Sequence, residues 1–320
     1  MELIRGVYNL RPWHRGCVAT IGNFDGVHLG HQAVLGQLAE KAAELNLPSV
    51  VIIFEPLPHE FFTAGSPPPR LMRFREKWLA LHRYSIDRVL CLRFDAKLAA
   101  MPAGAFIERI LIAGLDIRYL VQGDDFRFGK NREGNFSLLQ AAGRAHDFQV
   151  VNMYTFQIDG ERVSSTRIRE ALQRGDLVTA EKLLGRPYCL CGKVRRGDRL
   201  GRQLGFPTAN LNLGWPLPPV RGIFAVEVFG LAQESLPGVA SIGNRPTVNG
   251  VDYRLEVYLF EFEQDIYERR LQVDLLHKIR DEIRFDSLEE LRQQIERDVE
   301  SAKAYFACRQ DRFKNLKERR

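Results

Sequence analysis

The sequence predicts two domains of different class: a doubly wound α/β domain on a parallel sheet, then an antiparallel sheet or barrel closed by one helix. Three observations predict this. At 320 residues the chain is about twice as long as a typical domain of ~150 residues. Short apolar runs alternate with helical patterns as far as about Gly185. After Gly185-Arg186-Pro187-Tyr188 the pattern changes to short β-like runs punctuated by Gly, Pro and Asn, continuing to about Lys278. The boundary is placed near Arg186, giving domains 1–186 and 187–320.

In the first domain the expected strands are Cys17–Gly22, Ser49–Phe54, Arg88–Leu92, Arg118–Gln122 and Gln149–Met153. Several are unbroken apolar runs rich in Val and Ile, as strands buried on both faces of a parallel sheet require. Between them, His31–Asn46 carries Val34, Leu35, Leu38, Ala42 and Leu45 on one helical face, and Leu71–Tyr84 and Ala105–Ala113 are similar. In the second domain Gly222–Phe229, Gly238–Ile242, Arg254–Phe262 and Arg270–Leu276 are expected strands. A final helix starts at the capping box Ser287-Leu-Glu-Glu290 and keeps Leu288, Leu291, Ile295, Val299 and Ala302 at helical spacing.

Composition excludes several classes. Hydrophobic residues make up 45% and charged residues 27%, as in soluble globular proteins. There is no run of about 18 apolar residues and no secretory leader, so a cytoplasmic protein without membrane attachment is expected. Five cysteines without a Cys-x-x-Cys pair speak against a disulfide framework or zinc knuckle, and Cys189 and Cys191 read as two thiols on one strand face. The net charge is +6, of which +4 lies in Arg309–Arg320 (six basic residues, two acidic). The rest is nearly neutral, so no nucleic-acid partner is expected, and no obligate protein partner either.

Gly22-Asn23-Phe24-Asp25-Gly26-Val27-His28-Leu29-Gly30-His31 follows the first expected strand and opens the first helix. Glycines let backbone approach a phosphate chain, and a helix N-terminus adds unpaired N–H groups and positive potential. His28 and His31, three apart, share a helix face and offer hydrogen bonds to phosphate oxygens. A His-x-x-His pair also suits zinc, but no third ligand is near in sequence. Gln122–Gly129 follows the fourth strand, and Ser164-Ser165-Thr166-Arg167-Ile168-Arg169 follows the fifth after a turn. Hydroxyls at a helix start with two arginines behind them suit a triphosphate, although by themselves they fit a simple N-cap equally well.

The Gly22–His31 stretch resembles the signature of the nucleotidyltransferases that move AMP or CMP onto phosphate acceptors. Together with Gly123-Asp124-Asp125-Phe126-Arg127-Phe128-Gly129 and Ser164–Arg169 it resembles the FMN adenylyltransferase half of the bacterial bifunctional riboflavin kinase/FAD synthetases. The resemblance implies that His28 and His31 hold ATP phosphates in the transition state. It implies a nucleotide and flavin site lined by Gly22, Asn23, Phe24, Asp25, Gly26, Gly30, Gly123, Phe128, Ser164, Ser165, Thr166 and Arg167, with Asp125 near both ligands. The implied nucleophile, the FMN phosphate, is already ionised, so positioning and charge neutralisation suffice.

Gly192-Lys193 through Gly197, Gly201-Arg202 and Gly205-Phe206-Pro207-Thr208-Ala209-Asn210 opens the second domain. Thr208 and Asn210 are hard oxygen donors two apart, sharing a face if extended, of the kind Mg²⁺ takes beside phosphate oxygens and water. Alone, Thr-x-Asn describes a turn equally well. The stretch resembles the riboflavin kinase signature, supported by Gly222–Val226, Ser241–Thr247, Leu255–Leu259 and Lys278–Phe285. That resemblance implies a six-stranded antiparallel barrel with Mg²⁺ and ATP at Thr208 and Asn210. It also implies nucleotide or flavin contacts from Gly192, Lys193, Gly197, Gly201, Arg202, Gly205, Phe206, Pro207 and, from a later loop, Arg280. Glu256, an acid inside the apolar-aromatic strand Leu255–Phe262, shares strand parity with Tyr258 and Phe260; the pattern alone also fits a solvent-facing Glu. The resemblance makes Glu256 the base for the riboflavin hydroxyl. Relatives often have Leu-Tyr-Gly where this chain has Ile266-Tyr267-Glu268.

The expected activity is ATP- and Mg²⁺-dependent phosphorylation of riboflavin to FMN, then adenylylation of FMN to FAD. The alternatives are nucleotidyl transfer to another phosphate acceptor, with the barrel as a binding domain, or a non-catalytic flavin- or RNA-binding protein.

Overall fold

The computed structural model describes all residues except 64, 66, 124, 125, 154, 155, 198, 199, 214–217, 248, 249, 319 and 320; at 200, 244–247, 250–252, 310 and 312–318 it describes the backbone only. The chain divides into two compact units, Met1–Ser165 and Thr166–Arg320.

The first unit is a six-stranded sheet of β1 (Glu2–Arg5), β2 (Cys17–Ile21), β3 (Ser49–Glu55), β4 (Arg88–Arg93), β5 (Ile117–Gly123) and β6 (Gln149–Met153). Its order is β1-β4-β3-β2-β5-β6, and every pairing is parallel. The helices are α1 (Leu29–Leu45), α2 (Pro58–Phe62), α3 (Phe74–His82), α4 (Ala96–Ala99), α5 (Ala103–Phe106), continued by a π-helical stretch Ile107–Ile112, and α6 (Phe136–His146). The doubly wound sheet foreseen from the apolar runs is therefore present. β1, α2, α4 and α6 are additional to the expected elements. Only Ile4 is buried in β1, so its four residues carry too little pattern to read as a strand.

Alternation explains the two-sided core. Cys17, Ala19 and Ile21 pack with α5, the π-helical stretch and α6 residues on one face, while Val18 packs with Leu35 and Leu38 of α1 on the other. Leu35 and Leu38 are fully buried, each worth about 2 kcal/mol of apolar transfer. A two-stranded hairpin, β7 (Gln157–Ile158) and β8 (Glu161–Arg162), follows.

The winding reverses at β2. From β2 the chain builds β3 and β4 to one side, then returns to place β5 on the other. Ligands of open α/β sheets bind at such a reversal, beyond the carboxyl ends of the strands. Gln122, buried at the end of β5, pins this point: its Nε2 donates to Ile21 O at 3.1 Å and its Oε1 accepts from Ile21 N at 3.2 Å.

The second unit begins with α7 (Ser165–Arg174), whose first residue closes the first unit, and α8 (Leu177–Leu184). The unit boundary thus falls ahead of the expected division near Arg186, because α8 lies along barrel strands with Leu183 and Leu184 buried. The strands β9 (Tyr188–Arg195), β10 (Thr208–Asn212), β11 (Gly222–Phe229), β12 (Leu236–Thr247), β13 (Gly250–Leu259) and β14 (Arg270–Arg280) form a closed antiparallel barrel in the order β10-β13-β12-β11-β14-β9. A short α9 (Leu200–Gln203) joins β9 to β10, and α10 (Leu288–Glu318) ends the chain. Leu255, Val257 and Leu259 alternate with Tyr258 and Phe260, which face outward and pack under Val299 and Ala302 of α10. The Ser287 hydroxyl caps α10 by accepting from Glu290 N at 3.2 Å. The reciprocal half of the box is displaced by one residue, since Glu290 accepts from Asp286 N.

Candidate functional site

The first candidate site lies where β2 ends. Between β2 and α1, Phe24 (φ 48°), Gly26 (φ 88°) and Val27 (φ 41°) all take the left-handed conformation. That is free for Gly26 but strained for Phe24 and Val27. Both side chains are buried in the α1 face of the core, which holds the turn in place. Asp25 is also buried, and its carboxylate accepts from Leu71 N at 3.0 and 3.1 Å and from Met72 N at 3.1 Å. Its charge therefore organises the turn and the segment ahead of α3.

His28 is the N-cap of α1: its Nδ1 accepts from His31 N at 3.3 Å. In the neutral ring this leaves the proton on Nε2. The two imidazoles stack with centroids 3.6 Å apart and planes 14° from parallel, and Phe24 lies 4.9 Å from His31. His31 Nδ1 has no hydrogen-bond partner. Burial holds the His31 imidazole well below the ordinary histidine range, assisted by repulsion from His28, Lys77 and Arg162. A stacked imidazole pair at a helix N-terminus is a hydrogen-bond-donating cradle for anionic oxygen.

The other residues expected here fall on several elements. Asn23 is exposed in the turn, Gly22 and Gly30 flank the rings, and Gly123 ends β5. Ser164 and Ser165 are half-buried, and within the first unit Ser165 Oγ donates to Asp25 O at 2.8 Å. Thr166 and Arg167 stand in the first turn of α7, in the second unit. Phe128 is buried and stacks on Phe126 at 5.5 Å, so its ring is part of the core. Asp125 lies outside the described residues. Two features escaped the sequence reading. Phe61 and Phe62 of α2, just beyond the carboxyl end of β3, expose their rings (41% and 66%) around Phe94. Lys77 is buried in α3. Adjacent aromatics after a strand were a usable signal for the first, whereas no local pattern marks a lysine as buried.

The second candidate site lies on the outer face of the barrel. Asn210 stands directly opposite Glu256 in the β10–β13 ladder and opposite Arg195 of β9, and Thr208 stands opposite Tyr258. Cross-strand partners share a face, with Cβ atoms about 5 Å apart. Glu256 thus faces outward and beside Asn210 and Thr208. Asn210 Oδ1 is buried without a hydrogen-bond partner. Two cavities, of about 520 and about 40 Å³, share Arg202, Pro207, Thr208 and Tyr267 as walls, and Asn210 and Gly197 line the smaller. The larger matches the size of small-molecule sites.

Gly197 and Gly201 press against Asn210 and the Phe206 carbonyl, Gly192 lies against Leu211, Gly205 turns at φ 90°, and the Phe206 ring meets Tyr258 edge-on. Two expected contacts are otherwise engaged. Lys193 pairs with Glu268, which also holds Arg195 Nη1 at 2.7 Å. Together they draw the Glu268 carboxyl below the usual carboxylate range, Lys193 contributing most. Arg280 binds Asp298 of α10 through Nε at 2.8 Å and Nη2 at 2.6 Å. Among the described residues no cluster of three His, Cys, Asp or Glu could hold a metal.

The FAD synthetase family model matches residues 10–167, and the riboflavin kinase model matches residues 184–306. A bifunctional riboflavin kinase/FMN adenylyltransferase of Haemophilus influenzae is 49% identical over 306 residues, covering 96% of this chain and 99% of its own. The protein of that description from Escherichia coli K12 is 50% identical over 307 residues, covering 96% and 98%. A crystal structure described as a macrolide-efflux protein of Streptococcus pneumoniae superposes with TM-score 0.79 at 29% identity, covering 93% of this chain and 97% of that one. No helix among the described residues is long and apolar enough to cross a membrane.

Proposed function

The chain belongs to the family of bifunctional riboflavin kinases/FMN adenylyltransferases, and from that premise we propose how its two sites divide the work. The enzyme phosphorylates riboflavin to FMN with ATP, then transfers AMP from a second ATP to FMN, giving FAD and diphosphate. Adenylyl transfer is assigned to residues 1–186 and phosphorylation to 187–320. We place its action in the cytoplasm, where ATP is available, without a nucleic-acid, membrane or obligate protein partner.

The observation that carries this division is the pairing of Asn210 with Glu256 on the barrel. Riboflavin offers a neutral primary alcohol, which attacks well only if a carboxylate takes its proton. Glu256 supplies that group on the same face as Thr208 and Asn210. Asn210 Oδ1, an unpartnered hard oxygen, and the Thr208 hydroxyl fit Mg²⁺. When bound there, the ion would neutralise charge on the ATP phosphates. Arg202 and Pro207 wall the nucleotide cavity, and Gly197 lines the smaller cavity beside it.

The first site needs no base, since its nucleophile is the FMN phosphate. His28, His31 and the α1 amides cradle the α- and β-phosphates, Asn23, Ser164, Ser165, Thr166 and Arg167 hold the nucleotide, and Asp25 positions the turn. Phe61 and Phe62 offer an apolar platform for the flavin ring.

Purified protein supplied with riboflavin, ATP and Mg²⁺ should form FMN and then FAD, resolved by chromatography. Accumulation of FMN without any FAD would remove the reading of the first site; absence of FMN would remove that of the barrel.

A further inference from the structure

The carboxylate of Glu268 sits on two cations beside the proposed magnesium ligands. Lys193 and Arg195 lie on one face of β9, about 7 Å apart along the strand. In the β9–β10 ladder Arg195 stands opposite Asn210 and Lys193 opposite Asn212. Both cations therefore share the outer face that carries Thr208, Asn210 and Glu256. Arg195 also lines the smaller cavity together with Thr208 and Asn210. Each cation is paired with Glu268, Lys193 through Nζ and Arg195 through Nη1 at 2.7 Å.

Folding does not require a carboxylate at this point. Glu268 takes φ 66°, in the left-handed region, which is free for glycine but strained for a residue with a Cβ. Its N–H donates to Val194 O at 3.0 Å, which fixes the backbone to β9 whatever the side chain is. The side chain is exposed, and exposed ion pairs add little to stability. What it changes is charge. Hydrogen bonding to Lys193 and the charges of both cations hold its carboxyl below the usual carboxylate range, so it is an anion at neutral pH. Before ATP binds, it balances two positive charges at the cavity. Once ATP arrives, it competes with the phosphates for the same donors.

We propose that Glu268 is a positioning residue for riboflavin phosphorylation: it holds Lys193 and Arg195 as an internal substitute for phosphate, and ATP must displace it to engage them. This rests on the reading of the barrel cavity as the ATP phosphate site. An anion already seated on the two cations lowers the positive potential that draws a polyphosphate in. The cost falls on the phosphates and not on the adenine. It also falls on binding, equally in ground and transition states, and so on KM and not on kcat.

The test is Glu268→Gln in the full-length enzyme, with Glu268→Gly as a second variant whose backbone suits the left-handed conformation. KM for ATP in riboflavin phosphorylation should fall about three- to tenfold, the range of one or two exposed ion pairs, with kcat unchanged. The inhibition constant of inorganic tripolyphosphate against ATP should fall by the same factor, while that of adenosine stays where it is. Added NaCl should shrink the difference from wild type, because salt screens exposed charges. FAD formation from supplied FMN should not change. An unmoved or raised KM for ATP overturns the proposal, a raised one meaning that Glu268 presents the cations to ATP instead of withholding them. An adenosine constant that falls as far as that of tripolyphosphate overturns it too, since the effect would then lie on the cavity wall at Tyr267. Misfolding of both variants would make Glu268 a structural residue and overturns it equally. If the wild-type enzyme makes no FMN, the reading of the barrel fails and the proposal with it; FMN formation with an unmoved KM removes the role of Glu268 alone.

Discussion

Gly197 and Asn210 touch where a side chain would not fit: a Cβ on Gly197 would stand 2.4 Å from Asn210 Nδ2 and 2.6 Å from its Oδ1. Real Cβ atoms do not approach so closely, so Gly197→Ala must move either the loop or the Asn210 amide. A displacement of about 1 Å costs on the order of a hundredfold in a positioned reaction. Gly197→Ala should therefore lower kcat for riboflavin phosphorylation by about that factor and leave adenylylation of supplied FMN intact. Parallel assays of the two half-reactions check this.

Glu256→Gln keeps shape and hydrogen bonding but cannot accept a proton. Phosphorylation should fall by about 10²- to 10⁴-fold, the usual contribution of a general base. FAD formation from FMN should persist. Equal loss of both steps in a folded variant would contradict separate sites.

His28 has two roles, ring donor and helix cap, and substitutions separate them. His28→Asn retains a good N-cap and should leave stability within about 1 kcal/mol of wild type. It removes the imidazole, so FAD formation should drop about 10²- to 10³-fold, as for loss of one transition-state donor. His28→Ala should lose the same rate and about 1 kcal/mol of stability as well. Thermal or denaturant melts beside FAD assays distinguish the two.

His31 makes stability pH-dependent in a definite direction. Its imidazole lies well below the ordinary value of 6.5 in the folded chain. Below about pH 6.5 the unfolded chain binds a proton there that the folded chain refuses. Stability should therefore fall as pH drops through 6.5 toward the folded-state value, and should not depend on this group above it. Urea unfolding at pH 7.5, 6.5 and 5.5 should show the decline, and His31→Gln should flatten it.

Arg280 and Asp298 form a two-bond ion pair between β14 and α10, with Asp298 only 3% exposed. Removing one partner leaves the other poorly solvated. Asp298→Ala should destabilise the protein by about 3 kcal/mol in denaturant unfolding. Retention of full stability would release Arg280 for the flavin contact suggested by its sequence context.

Much of this architecture is a local property of the chain, and local properties are legible in sequence. The apolar runs of β2 through β6, the glycine-histidine turn, the Ser287 cap and the Gly-Phe-Pro-Thr-Ala-Asn stretch each lie within about ten residues. Side-chain periodicity and turn chemistry therefore determine them without reference to the rest of the molecule. What joins distant segments was decided by tertiary structure alone. The winding reversal at β2, the register that sets Glu256 against Asn210, the withdrawal of Arg280 to Asp298 and the burial of Lys77 all depend on strand order and on which faces meet. A one-residue slip of β13 would turn Glu256 into the barrel, and no pattern within that strand states its register against β10. Periodicity reports which face of an element is apolar; only packing determines what that face meets, and with it the field that each charge feels.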